Sequence, residues 1–248
     1  MRRVGSIATA ISALCAASVL AACGSPAPAP APSSPPPATA TASSSPPPAT
    51  ETASPSPTVA VPAGWKTFTT SDGSLAFDYP ESWTIKDPAD EPAEGGIAVD
   101  LVSDSGKTMA TLRTNVVAGA ECPKKFPFMM YDSEPVPALA QSGVTPRFVY
   151  EGRIAPPSSD PEANDPAGSL SLAYGITSGP EPSGDTACPI SHVFTWPPSG
   201  ATFGGVYDPF DTAPGGPTHV DTPEVYKDTP EYKYVKQAIT SLRPAGKQ

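Results

Sequence analysis

Cys188 precedes His192 by four residues in the stretch CPISH, and a thiol beside an imidazole is a familiar way to attack a carbonyl. The imidazole would lower the thiol pKa and supply the reactive thiolate. In an extended segment, however, four residues span about 13 Å, so a working pair needs the chain to turn back on itself. The other reading joins Cys188 to Cys122. Both are followed by proline in loop-like sequence, and in an exported chain two such cysteines read as a disulfide. A bridge between positions 122 and 188 closes 66 residues. On the loop-entropy account such a bridge stabilises by about 4 kcal/mol.

The remaining reactive side chains form no recognisable set. His219 and Asp221 could offer two metal ligands but lack the spacing of a zinc site. The acidic stretch SDPEANDPAG (159–168) lacks the alternating ligands and closing glutamate of a calcium loop. Asp208 and Asp211 could pair as glycosidase carboxylates, on a segment rich in proline and glycine. There is no His-Glu-x-x-His, no Gly-x-Ser-x-Gly and no phosphate loop. The expectation is therefore a chain without catalytic residues, metal or cofactor. The alternative is a cell-envelope hydrolase or transferase built on Asp208/Asp211 or Cys188/His192.

One stretch is suited to recognition. FTWPPSGATFGGVYDPF (194–210) interleaves rings with proline and glycine, and such a loop presents rigid aromatic surface at low entropic cost. Trp196, Phe203, Tyr207 and Phe210 are the candidate binding residues. The competing reading has these rings covering an open sheet face, since aromatic side chains bury more often than they protrude.

The N-terminus states an address. Arg2 and Arg3 precede a mostly apolar run, Val4 to Val19, and then Leu20-Ala21-Ala22-Cys23. A basic start, an apolar run and a small-residue cleavage site make an export signal. Leu-Ala-Ala-Cys resembles the bacterial lipobox, which implies cleavage before Cys23 and lipidation of its thiol. Residues 4–22 carry too many Ala, Ser, Thr and Gly to read as a spanning helix. Stable anchoring takes two acyl chains, so the expected place is the outer face of the cytoplasmic membrane, with residues 1–22 as signal peptide.

Residues 23–62 follow as a tether of Pro, Ala, Ser and Thr, with 13 of the 36 prolines and Glu51 as its one charge. That composition cannot bury enough apolar surface to offset chain entropy. Its extended reach is on the order of 100 Å at polyproline spacing. Removing Arg2 and Arg3 takes the formal charge from −10 to −12. An acidic chain with no basic run argues against nucleic acid as a partner.

Residues 63–248 are long enough for one domain with a sizeable core. They retain 23 prolines, about twice the ordinary share of about 5%. The densest clusters, at 156–166, 180–189 and 197–217, read as loops. Strands are expected at 65–70, 74–79, 97–103, 108–118, 147–154, 169–177 and 190–196, where Val, Thr and aromatics alternate with polar residues. DTPE occurs at 221 and again at 228, joining a capping residue, a first-turn proline and a dipole-matching glutamate. After the second copy, Tyr232, Val235, Ile239 and Leu242 recur at helical spacing up to Arg243-Pro244. These elements make an α+β domain, an antiparallel sheet packed with a C-terminal helix.

TTSDGSLAFDYPESWTI (69–85), with its Tyr-Pro-x-x-Trp turn, is similar to the opening of the PsbP/Mog1/DcrB-like superfamily. VKQAITSLRP (235–244) resembles that superfamily's last helix. The layout as a whole resembles lipoproteins of high-GC Gram-positive bacteria. The resemblance implies a module that binds or helps assemble a partner, here an envelope protein or wall glycan, and it carries no catalytic residue.

Overall fold

A computed structural model describes residues 61–117, 122, 124–156, 169–209 and 222–246. All of these lie in one unit, Ser56–Gln248. The signal, Cys23, nearly all of the tether, the acidic stretch 159–168, Phe210, Asp211, His219 and Asp221 lie outside the described residues.

In chain order the strands are β1 (Trp65–Thr69), β2 (Leu75–Pro80), β3 (Thr84–Lys86), β4 (Ala98–Val102), β5 (Thr108–Thr114) and β6 (Phe126–Pro135). They continue as β7 (Arg147–Ala155), β8 (Ser169–Thr177), β9 (Thr186–Ala187), β10 (Phe194–Trp196) and β11 (Ser199–Tyr207). Two helices, α1 (Pro223–Tyr226) and α2 (Pro230–Thr240), precede the short β12 (Arg243–Pro244). A small sheet runs β1-β2-β12, and a larger one runs β3-β4-β5-β11-β8-β7-β6-β9 with β10 on β11. The pairings are antiparallel. The protein is thus mostly antiparallel sheet with a small C-terminal helical element.

Both DTPE copies start a helix. Thr222 Oγ1 accepts from the Val225 amide (3.3 Å) and Thr229 Oγ1 from the Tyr232 amide (3.2 Å). Each cap satisfies an amide that a first turn otherwise leaves without a partner. The buried face of α2 is Tyr232, Val235, Ala238 and Ile239, which joins the core of Leu75, Phe77, Phe148, Tyr174 and Phe203. Past α2, Arg243 grips the buried Asp78 with two nitrogens, at 2.9 and 3.1 Å, and so locks β12 beside β2.

Tyrosines make much of the contact between helices and sheet. Tyr226 stacks on Tyr207 with ring centres 3.7 Å apart, and Tyr232 lies 5.2 Å from Tyr150. Most of the hydroxyls have acceptors: Tyr174 donates to the Met109 carbonyl (2.7 Å), Tyr226 to Glu231 (3.0 Å) and Tyr232 to Asp132 (2.8 Å). Burial pushes the pKa of Tyr150, Tyr174, Tyr226 and Tyr232 well above the ordinary phenol value.

The stretch 197–217 is corrected in its first half. Residues 199–207 are not a loop but the strand that joins the two halves of the large sheet. β11 pairs with β5 through Ala201–Gly204 and with β8 through Gly204–Tyr207. Pro197-Pro198 is the turn of the β10–β11 hairpin. Its glycines lower β-propensity, yet Gly204 sits where the partner changes, and a Cβ there would collide with the Tyr174 carbonyl oxygen.

The binding reading of the aromatics is corrected with it. Phe203 is 0% exposed and Tyr207 4%, because alternate residues of β11 face the core. Phe203 packs 4.8 Å from Phe77, and Trp196 is half-buried against the same cluster. These rings are a packed part of the core and cannot form one exposed surface. Other stretches also differ: β6, the short β3 and the two-residue β9 inside 180–189 were not expected, and of 190–196 only 194–196 is strand.

Gly204→Ala should therefore lower stability by about 2 kcal/mol, because its Cβ would press on the backbone of the neighbouring strand at Tyr174 and Gly175. Thr229→Ala should cost about 1 kcal/mol for the lost cap. Urea unfolding of both variants checks the order. A Gly204→Ala protein as stable as the parent would contradict the strand assignment.

Candidate functional site

The strand β7 alternates two kinds of residue. Phe148 and Tyr150 enter the core on the helix side, while Glu151 and Arg153 carry charge and are still only 6% and 7% exposed. Charges withdrawn from water this far require partners.

They find them in each other and in the segment that crosses above. Arg153 Nη2 donates to Glu151 Oε2 (3.1 Å), Nη1 to the Gly152 carbonyl (3.0 Å) and Nε to the Cys188 carbonyl (2.7 Å). The guanidinium also lies 5.2 Å from the centre of the Phe128 ring. Glu151 Oε1 bonds His192 Nε2 at 3.0 Å. His192 fits there because Gly175 leaves room, a Cβ at that position coming within 2.9 Å of the ring. Burial alone would raise the Glu151 pKa. The hydrogen bond to His192 and the charge of Arg153 outweigh it and hold the carboxyl below its ordinary value.

The crossing segment is pinned in three further ways. Cys122 and Cys188 are bonded, with Cα atoms 5.3 Å apart. β9 pairs with the first residues of β6, Phe126 and Pro127. The Ser178 amide donates to the Val193 carbonyl (2.9 Å) and closes the segment on itself.

Between the segment and the sheet is a cavity of about 320 Å³ lined by Lys125, Arg147, Glu151, Arg153 and Glu181 among others. A second hollow, of about 290 Å³, shares Arg153 and Pro189 with it. This place was missed from sequence. The available signal was the alternation of Arg147, Glu151 and Arg153 with Phe148 and Tyr150 in RFVYEGRI.

The residues named from sequence are only partly brought together. Cys188 and His192 each reach the Glu151/Arg153 pair, Cys188 through its carbonyl, but the Cys188 thiol is bonded to Cys122 and the His192 ring to Glu151. Asp208 has interactions of its own, and its proposed partner Asp211 lies outside the described residues. Among the described residues no group of three or more His, Cys, Asp or Glu is placed to hold a metal. Nor is any helix among them long and apolar enough to cross a membrane. No family model matches the chain, and no match to a curated protein or a solved structure was found.

Two outcomes follow from this geometry. The folded-state pKa of Glu151 is depressed, so its ionised form contributes stability in full above about pH 4.5, a contribution lost as pH falls through the folded value. Glu151→Gln leaves a buried guanidinium uncompensated and should cost about 3 kcal/mol at pH 7. The gap between variant and parent should narrow between about pH 5 and pH 3, read by denaturant midpoints across that range. Replacing both Cys122 and Cys188 by Ser should cost about 4 kcal/mol, since the bridge closes 66 residues. Peptide mapping without reductant should recover the two cysteines as one linked fragment.

Proposed function

We propose that this protein is an extracytoplasmic binding module, anchored by lipid on Cys23 to the outer face of the cytoplasmic membrane. The tether of residues 23–62 lifts it off that surface to meet an envelope protein or a wall component. The observation that carries the reading is the Cys122–Cys188 bridge over the cavity. Disulfides persist in oxidising compartments, in keeping with the export signal and lipobox at the N-terminus. The same bridge removes the thiol that a Cys188/His192 nucleophile would need, which favours binding over acyl-transfer chemistry. The antiparallel sheet with a terminal helix is compatible with the PsbP/Mog1/DcrB-like resemblance, whose members bind or assemble partners.

The anchor is tested by Cys23→Ala. That variant should accumulate as an unprocessed, unlipidated precursor and leave the detergent phase on partitioning. Processing and partitioning identical to the parent would refute the anchor. Partner capture is tested in living cells with a photo-crosslinking side chain at Pro182, beside the cavity. Discrete crosslinked species are expected there and not from the same probe at Glu81, which is exposed elsewhere on the surface.

A further inference from the structure

Among the described residues, Arg147 is the one enclosed cation of the cavity whose bonding is incomplete. Arg153 spends its nitrogens on Glu151 and two carbonyls, and Lys125 stands exposed in water. Arg147 Nη2 makes a single long contact, 3.5 Å, to the Gly179 carbonyl. Its Nη1 is enclosed by protein and has no hydrogen-bond partner among the described residues. A guanidinium carries five donors in a planar fork, and an enclosed donor without an acceptor costs free energy. Glu181 lines the same cavity without forming an ion pair with Arg147 among the described residues.

We propose that this cavity binds the free C-terminal carboxylate of a peptide, with Arg147 as its principal ligand and Lys125 at the rim. The inference rests on the binding-module reading and names its site. Three features select the ligand. Lys125, Arg147 and Arg153 against Glu151 and Glu181 leave one net positive charge on the lining. That suits a monoanion and disfavours a phosphate dianion, which would face two carboxylates. Arg147 Nη2, held only by its long contact to the Gly179 carbonyl, can donate to a carboxylate oxygen in a charge-assisted hydrogen bond.

Size and lining then favour the end of a peptide. About 320 Å³ is at the small end for a ligand pocket, room for a chain terminus and little more. None of the described lining residues is aromatic, so no ring is present for a sugar face to stack on. Pro180 and Pro182 offer apolar surface to a small side chain, and the Glu181 carboxylate can accept from a peptide amide. Capture of a C-terminal carboxylate is a recurrent mode of peptide recognition. The segment bearing these groups is held by the disulfide and by His192, so little ordering entropy remains to be lost on binding.

The test uses the purified, oxidised full-length protein and four probes, each titrated by calorimetry: acetyl-Ala-Ala as the free acid, its C-terminal amide, glucuronate and inorganic phosphate. The acid should bind, and the amide should bind at least about tenfold more weakly because a charge-assisted contact is lost. Arg147→Gln should weaken the acid by about tenfold while its unfolding midpoint stays equal to the parent's or rises. Lys125→Ala, at an exposed rim position, should weaken it less and leave folding untouched. Equal binding of acid and amide overturns the proposal, as does glucuronate or phosphate binding more tightly than the acid. So does no binding of the acid at about 10 mM, or a Lys125→Ala, Arg147→Gln double variant that binds as the parent does. Crosslinked partners that persist in Arg147→Gln cells would remove this site and leave the binding-module reading standing. Loss of all crosslinks from the parent protein would remove that reading itself.

Discussion

A carboxylate and a guanidinium two residues apart on one strand, both withdrawn from water, constrain much of the outer face of this fold. Glu151 and Arg153 cannot satisfy each other completely, because a guanidinium has more donors than one carboxylate can accept. The crossing segment supplies the rest: the Cys188 carbonyl accepts from the guanidinium, and His192 bonds the other oxygen of Glu151. Docking that segment is thus a condition of burying the charges, and burying them is what the segment's docking achieves. Separated, either half would be costly. The disulfide adds a covalent limit on how far the segment can stray, and the cavity is the space left beneath it.

The two faces of the large sheet divide the labour. On the helix side, rings from β7, β8, β11 and both helices interlock, and their phenols are nearly all hydrogen-bonded. Interiors packed in this way resist volume changes, so they suit stability better than recognition. On the other side polar groups line an open hollow, with one donor enclosed and unmatched. The aromatics of β11 belong to the first face, which is why they are poor candidates for binding. A strand whose odd residues fill the core leaves only its even ones outside, and on β11 these include Gly204 and Val206.

What was readable in the sequence follows from how local its signal is. α2 was legible because its cap, its first-turn proline and its apolar stripe all fall within fifteen residues. β1, β2, β7 and β8 were legible because large apolar and aromatic residues alternate along them with small or polar ones. β11 was hidden because its glycines answer to the Tyr174 and Met109 carbonyls, which come from strands far off in the chain. β6 was hidden by prolines at both ends, tolerated because Pro127 meets only the two-residue β9 and Pro135 closes the pairing with β7. The cluster beneath the cavity was harder still. Glu151 and Arg153 are visible as an alternation, but His192 comes from 41 residues away and fits only because position 175 is glycine.

Hydrogen exchange on Glu151→Gln reports most directly on whether the buried charges hold the crossing segment in place. Two amides mark that segment: Phe128, which donates to the Asp185 carbonyl, and Ser178, which donates to Val193. With the disulfide intact, both should exchange markedly faster in the variant, while amides of α2 such as Val235 keep their protection. Unchanged protection at Phe128 and Ser178 would mean that the segment stays docked without the cluster, contradicting the account.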